Sequence, residues 1–267
     1  MTKINNAARR LFKICNINIF VNYGLIIITL SSIVFSLFIL EPSLLILSTG
    51  YNNGGYLKST EVLNLGSEMT PSFQDNLKSL FGATGGWVGN GFIVCGGYVD
   101  GDYSKECHKI GKEETVKIGD MMKKRYRAAS IVEGERIWIL GGLGDDHSKT
   151  TSEFISVNDG SSAQGPDLPI GLWGHTATKI NSTTSIVIGG YSGGYSAKTF
   201  FYSHQNGQWI NGPNLIQARR HHAACLVTDS VTQESFIVVT GGDGPGYLDS
   251  VEIMDIYGTK WTSGKLL

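Results

Sequence analysis

The chain has 267 residues, with 22 Lys and Arg against 23 Asp and Glu, and a formal net charge of −1. That balance argues against nucleic-acid binding, which needs a clearly basic face. With 41% hydrophobic residues the chain has enough apolar surface to bury a core, which excludes a disordered polypeptide.

Lys3, Arg9, Arg10 and Lys13 make residues 1–13 basic, and residues 14–40 then carry no charge before Glu41-Pro42. The expectation for 14–40 is a hydrophobic helix acting as a signal anchor or a signal peptide. Ile19 to Leu40 is long enough to cross a bilayer, and no small-x-small cleavage site follows it. Positive charge ahead of the segment favours a cytoplasmic N-terminus, which would leave the rest of the chain extracellular or lumenal. Read instead as a strand, the segment would complete the first of the repeats that follow.

From Leu44 onward one pattern recurs. Glycine pairs stand at Gly96-Gly97, Gly141-Gly142, Gly189-Gly190 and Gly241-Gly242, with Thr49-Gly50 as a degenerate copy. Their second residues fall at 50, 97, 142, 190 and 242, a spacing of 47, 45, 48 and 52. Such a period marks an array of small structural units. Each pair follows a short apolar run, such as Phe92 to Cys95 or Ile137 to Leu140, which reads as a buried strand. Some ten residues on comes a second strand-like run, such as Glu153 to Val157 or Ser250 to Met254, across a loop dense in Gly, Asn, Asp and Ser. A tail glycine precedes an apolar residue by three, as in Gly165/Leu168 and Gly212/Leu215, and Trp209 and Trp261 stand three residues before two of these glycines. An alternating segment such as His221 to Val227 leads into the next pair. Each unit thus reads as four antiparallel strands, with bounds near 44–69, 81–122, 127–168, 174–215 and 221–267. The glycines suit a strand end packed against the next sheet and a sharp turn at positive φ.

With these marks, and with the arginine-containing stretches Met121 to Ala129 and Leu215 to Ala223, the chain resembles the kelch-repeat β-propeller family over residues 44 to 267. The resemblance implies an all-β fold, a propeller of about five recognisable four-stranded blades behind the N-terminal hydrophobic helix. The first unit lacks a full glycine pair and a tail tryptophan, and the third has Ile170 to His175 in place of the arginine stretch. Kelch propellers commonly have about six or seven blades. The ring is therefore either five-bladed or only part of a larger one, and the second is expected.

Cys95 ends one strand and Cys107 lies in the next, so neighbouring antiparallel strands can bring them within disulfide reach. A bridge would imply an oxidising compartment, and two small buried thiols are the alternative. Cys225 reads as an inert core residue, and Cys15 lies in or beside the apolar segment. Asn181-Ser182-Thr183 is a glycosylation sequon on a turn between strands.

No catalytic or metal constellation emerges, so neither a cofactor nor a metal is expected. His221-His222 are adjacent and, on a strand, would point to opposite faces. Cys107-His108 fails for the same reason. Asp145, Asp146 and Asp243 sit in glycine-rich loops without calcium-loop spacing. Gly54-Gly55 and Gly193-Gly194 read as turns. Surface therefore remains. By the resemblance, one loop face would present Tyr98, Asp100, Asp145, Asp146, Tyr191, Tyr195 and Asp243. Inter-blade loops would add Arg125, Arg127, Trp173, His175, Arg219 and Arg220. Arginine and aromatic residues on rigid loops are the usual anchors of an interface. Arg125 and Arg220 match the repeated arginine of the family, so bridging neighbouring blades is the alternative for those two. The expected function is a noncatalytic binding module recognising an extracellular or lumenal protein or glycan. A cytosolic adaptor and a propeller enzyme, such as a sugar oxidase or isomerase, are the rivals.

Overall fold

The structure, a computed structural model, describes residues 81–88, 91–110, 114–145, 147–229 and 232–264. For Asn18–Asn22, Leu25–Thr29, Ser36–Leu40, Leu44–Asn52 and Gly55–Asn64 it describes the backbone strand alone. Strands are the regular structure of the described residues, and no helix occurs among them.

Four successive four-stranded antiparallel sheets make up the larger part. The first holds Thr84–Val88, Gly91–Cys95, Glu106–Ile110 and Thr115–Asp120. The second holds Ala129–Glu133, Arg136–Leu140, Ser152–Ser156 and Ser162–Gln164. The third holds Thr176–Lys179, Thr184–Ile188, Thr199–Ser203 and Gln208–Asn211. The fourth holds Ala223–Thr228, Ser235–Thr240, Val251–Asp255 and Thr262–Gly264. In each, every strand pairs with its neighbour in sequence.

The second strand of each of the first three sheets is buried on both faces, which explains its unbroken apolar run, while in the fourth Phe236 and Val238 are half-buried. Side chains alternate along a strand, and here the alternation sorts them between two neighbouring sheets. Ile137 and Ile139 pack with Ile93 and Val88 of the first sheet. Trp138 and Leu140, on the other face, pack with Val187 and Phe200 of the third. Ile186 and Ile188 pack with Ile237 and Val239 of the fourth. Each fully buried Ile or Leu contributes on the order of 1.5–3 kcal/mol, so the sheets hold one another together.

Polar contacts link the first strands and the loops entering them. Ser130 Oγ donates to Gly85 O at 2.7 Å. One residue before each first strand adopts a left-handed conformation: Gly82 (φ 68°), Arg127 (φ 55°), Gly174 (φ 63°) and His221 (φ 53°). Arg127 N donates to Gly82 O at 2.8 Å, Gly174 N to Arg127 O at 2.9 Å and His221 N to Gly174 O at 2.7 Å. These bonds step from sheet to sheet along one end of the array.

The glycine pairs have a steric cause. Gly141 and Gly142 lie at φ 62° and 91°. A Cβ on Gly141 would stand 2.6 Å from Leu172 O of the next unit, and one on Gly142 3.0 Å from Tyr126 O. Gly142 N meanwhile donates to Leu172 O at 2.9 Å, so the turn is also a joint between sheets. Gly142→Val is expected to destabilise the protein by on the order of 3 kcal/mol or more. An unchanged melting profile would refute that.

The first predicted unit differs from expectation. It forms a three-stranded sheet of Ser36–Leu40, Leu44–Asn52 and Gly55–Asn64, with a register shift between Ser48 and Gly50. Its first strand comes from the segment expected to be a hydrophobic helix. That segment also supplies the hairpin Asn18–Asn22/Leu25–Thr29. β-branched and aromatic composition around Asn22 and Gly24 serves a hairpin as well as it serves an apolar helix. The rest of residues 14–40 lies outside the described residues, as does Asp146. Among the described residues no helix is long and apolar enough to cross a membrane.

Candidate functional site

The left-handed residues and the glycine pairs meet at one end of the sheets. The residue before each left-handed position bridges to the residue after each glycine pair. Phe81 pairs with Tyr98, Tyr126 with Leu143, Trp173 with Tyr191 and Arg220 with Asp243. Tyr195 and Tyr247 extend the last two pairs, and Tyr103 extends the first. The repeat thereby lines up a rim of aromatic rings with two guanidinium groups among them.

Arg220 lies over three rings, with its Cζ 4.6 Å from the Trp173 centroid, 5.2 Å from Tyr191 and 5.1 Å from Tyr195. Its Nε donates to Asp243 Oδ2 at 2.8 Å. Arg127 lies 4.9 Å from the Tyr126 centroid, 5.3 Å from Phe81 and 5.8 Å from Trp173. Its Nη1 is 2.6 Å from His221 Nε2, and His221 Nδ1 is 2.8 Å from Asp243 Oδ1. A guanidinium only donates, so His221 Nε2 accepts. The imidazole is then neutral, with its proton on Nδ1 donated to Asp243. Burial first, and the Arg127 charge second, push the His221 pKa down to about 4. Gly174 makes the contact possible, since a Cβ there would come 2.8 Å from His221 Cδ2.

Charge does not balance in this cluster. Arg127 and Arg220 bring two positive charges, Asp243 one negative, and His221 none. Burial, the largest influence, lowers the Arg127 pKa, Tyr126 opposes that, and Arg220 adds to it against a smaller pull from Asp243. Arg127 Nε is buried with no hydrogen-bond partner among the described residues. A half-buried cation held against aromatic faces with spare donors is suited to gripping a polar or anionic group of a ligand.

The other expected site residues fall elsewhere. Arg125 and Arg219 are buried, at 2% and 0% exposure, and do not face a ligand. Arg125 Nε donates to Glu153 Oε1 at 2.7 Å, and its Nη1 to the carbonyls of Gly141 and Ser148 at 2.7 Å each. Arg219 repeats this with Glu252 Oε1 at 2.7 Å and Gly241 O at 2.8 Å. The carboxylates in turn accept from the backbone N–H of Met122 and of Ile216. The structural equivalent of Arg125 is therefore Arg219, two residues before a left-handed position, and Arg220 belongs to the rim. The glutamate partners went unnoticed in the sequence. They stand eleven and ten residues after Gly142 and Gly242, at Glu153 and Glu252, a spacing that would have shown them.

His175 is also interior, at 5% exposure, and burial with the nearby Arg125 charge pushes its pKa down to about 3. His222 is its equivalent one repeat on, pushed to about 3 by burial first and then by Arg219. The two members of His221-His222 do part company. His221 sits in a left-handed loop residue rather than on a strand, so strand alternation is not the reason.

Tyr98, Tyr191, Arg127, Arg220 and Trp173 come together on the rim, as does Asp243. Asp100 occupies an exposed turn, and Asp145 Oδ2 accepts from Lys124 N at 3.0 Å at the edge of the site. Phe81, Tyr103 and Tyr126 were not anticipated. The tail tryptophans are structural: Trp261 Nε1 donates to Pro213 O at 3.0 Å, and Trp209 packs 5.9 Å from Trp138. Among the described residues no group of three or more His, Cys, Asp or Glu is gathered for a metal ion.

Cys95 and Cys107 form a disulfide with Cα atoms 4.1 Å apart. They are directly opposite in antiparallel strands, and Gly96 N donates to Glu106 O, which makes 95/107 the closely spaced pair of the ladder. Cys225 is free, and burial raises its pKa to about 12, so it is not a reactive thiol.

No family model matches this chain, and no curated protein matches it. The fold and site define a class all the same. It is an all-β repeat protein with four mutually packed four-stranded sheets, a buried disulfide and one cationic, aromatic loop face.

Proposed function

We propose that the chain is a kelch-type β-propeller that works as a noncatalytic binding module. It recognises an extracellular or lumenal protein or glycan through the loop face centred on Arg127, Arg220 and Trp173. The half-buried guanidinium of Arg127 carries this reading: it lies over Tyr126, Phe81 and Trp173 and bonds His221, yet its Nε has no hydrogen-bond partner among the described residues. A buried donor left unsatisfied costs stability, and such a cost is tolerated where function needs it.

Two observations support the propeller. First strands of successive sheets lie side by side, and the second strands of the second and third sheets are sandwiched between neighbours. The backbone strand Ser36–Leu40 lies beside Thr84–Val88 and Leu25–Thr29 beside Ala223–Thr228, where a ring would close. The Cys95–Cys107 disulfide supports an oxidising compartment, reached by secretion or by a membrane tether within residues 14–40.

Glycan arrays and extracellular protein libraries, screened with the wild-type protein and with Arg127→Met, test the function. Arg127→Met should lose affinity for the captured ligand by about tenfold or more. A melting profile taken alongside separates loss of the rim contact from loss of the fold, since Met fills the volume but gives up the Nη1 bond to His221 Nε2. Trp173→Ala should weaken binding likewise. Full affinity in Arg127→Met would sink the assignment of this face.

A further inference from the structure

We infer that Asn181 is an N-glycosylation site whose first sugar rests in an apolar notch between the third and fourth sheets. The inference rests on the lumenal or extracellular reading above. The turn carrying Asn181 joins Thr176–Lys179 to Thr184–Ile188. Thr183 N and Thr183 Oγ1 both donate to Asn181 Oδ1, each at 2.9 Å. Two donors on one atom identify it as the amide oxygen. That leaves Nδ2 of an exposed residue with no hydrogen bond among the described residues.

Position and surroundings both suit a glycan. The turn stands at the start of the five-residue strand Thr184–Ile188, whose far end leads into Gly189 about 16 Å away at the aromatic rim, so a sugar there leaves the rim open. Beside Asn181 a notch is lined by Ile180 and Phe201 of the third sheet and Ile256 and Tyr257 of the fourth. Tyr257 is 86% exposed, so its ring is open to cover a sugar. An aromatic ring at the mouth of an apolar notch is the surface that the apolar face of a sugar ring covers.

The chemistry needs a lipid-diphosphate-linked oligosaccharide and the transferase of the secretory compartment. A bond forms between Asn181 Nδ2 and the anomeric carbon of the sugar. The bond from that carbon to the diphosphate oxygen breaks, its electron pair leaves with the diphosphate, and one Nδ2 proton passes to that leaving group. Nothing is oxidised or reduced.

The test uses the full chain expressed in eukaryotic cells with its own N-terminus. Digestion with a peptide N-glycosidase should give one downward step in mass, and peptide mapping should find Asn181 converted to Asp. Asn181→Gln and Thr183→Ala should abolish the step, and Thr183→Ser should keep it. Deglycosylation should lower the melting temperature of the wild-type protein but not of Tyr257→Ala. A non-reducing peptide map of the same sample reads the Cys95–Cys107 bridge. No glycan with the bridge formed would overturn the site and leave the compartment standing. No glycan with two free thiols would overturn both. A glycan whose removal leaves the wild-type melting temperature unchanged would overturn the seat in the notch.

Discussion

Replacing Arg219 by Leu alone destabilises the protein by about 3–5 kcal/mol, and adding Glu252→Phe restores at least half of that loss. The chain itself supplies the reason. In the second and fourth sheets the equivalent positions are Arg125, Thr151, Glu153 and Arg219, Ser250, Glu252, and each arginine donates to the hydroxyl and the carboxylate of its set. In the third sheet they are Leu172, Lys198 and Phe200, and Leu172 and Phe200 join one apolar cluster. Both charges are present or both are absent. Arg219→Leu by itself strands the Glu252 carboxylate at 2% exposure with no counter-charge, which is the expensive state. The double variant Arg219→Leu/Glu252→Phe copies the third sheet and leaves no buried charge. Urea unfolding of wild type, both single variants and the double variant measures the coupling. Additive losses would show that the pair is not a unit, and a single variant as stable as wild type would show that the interior tolerates the lone charge.

This pair also marks where the sequence stops being legible. The four glycine pairs and the apolar runs before them located four sheets to within a few residues, because a positive φ beside a neighbouring carbonyl admits almost nothing but glycine. Arginines are less constrained. Arg125 and Arg127, or Arg219 and Arg220, stand one or two residues apart, and composition does not tell which turns inward. Distance from the left-handed residue decides it, two before it turning inward and one before it joining the rim, and here that residue is Gly82, Arg127, Gly174 or His221, which share no chemistry. Phe81 and Tyr126 escaped notice for the same reason, although each immediately precedes such a residue. Tyr98 and Tyr191 were legible because they follow a glycine pair directly. In residues 14–40 short apolar runs satisfy helix and strand alike until length and turn residues are weighed together.

Stability should fall on acidification by nearly 4 kcal/mol per pH unit around pH 5 and by about 10 kcal/mol in all by pH 4, enough to unfold a domain in the lower half of the usual range of about 5–15 kcal/mol. His175 and His222 titrate at about 3 and His221 at about 4 in the folded protein, each held neutral first of all by burial. The guanidinium groups facing them deepen the effect: Arg125 for His175, Arg219 for His222, and Arg127 with Arg220 for His221, where Asp243 opposes it. In the unfolded chain the same imidazoles titrate at about 6.5. Between those values the unfolded state binds about three more protons than the folded state, so stability is complete above pH 6.5 and drains away below it. Urea midpoints from pH 7 to 4.5 give the slope. His222→Ala should remove about one third of it, and alanine is an acceptable occupant, because Ala83 and Ala128 hold the same place in the first two sheets. A midpoint that stays flat down to pH 4.5, or a slope that His222→Ala leaves untouched, would mean the buried imidazoles take up protons without unfolding the sheets.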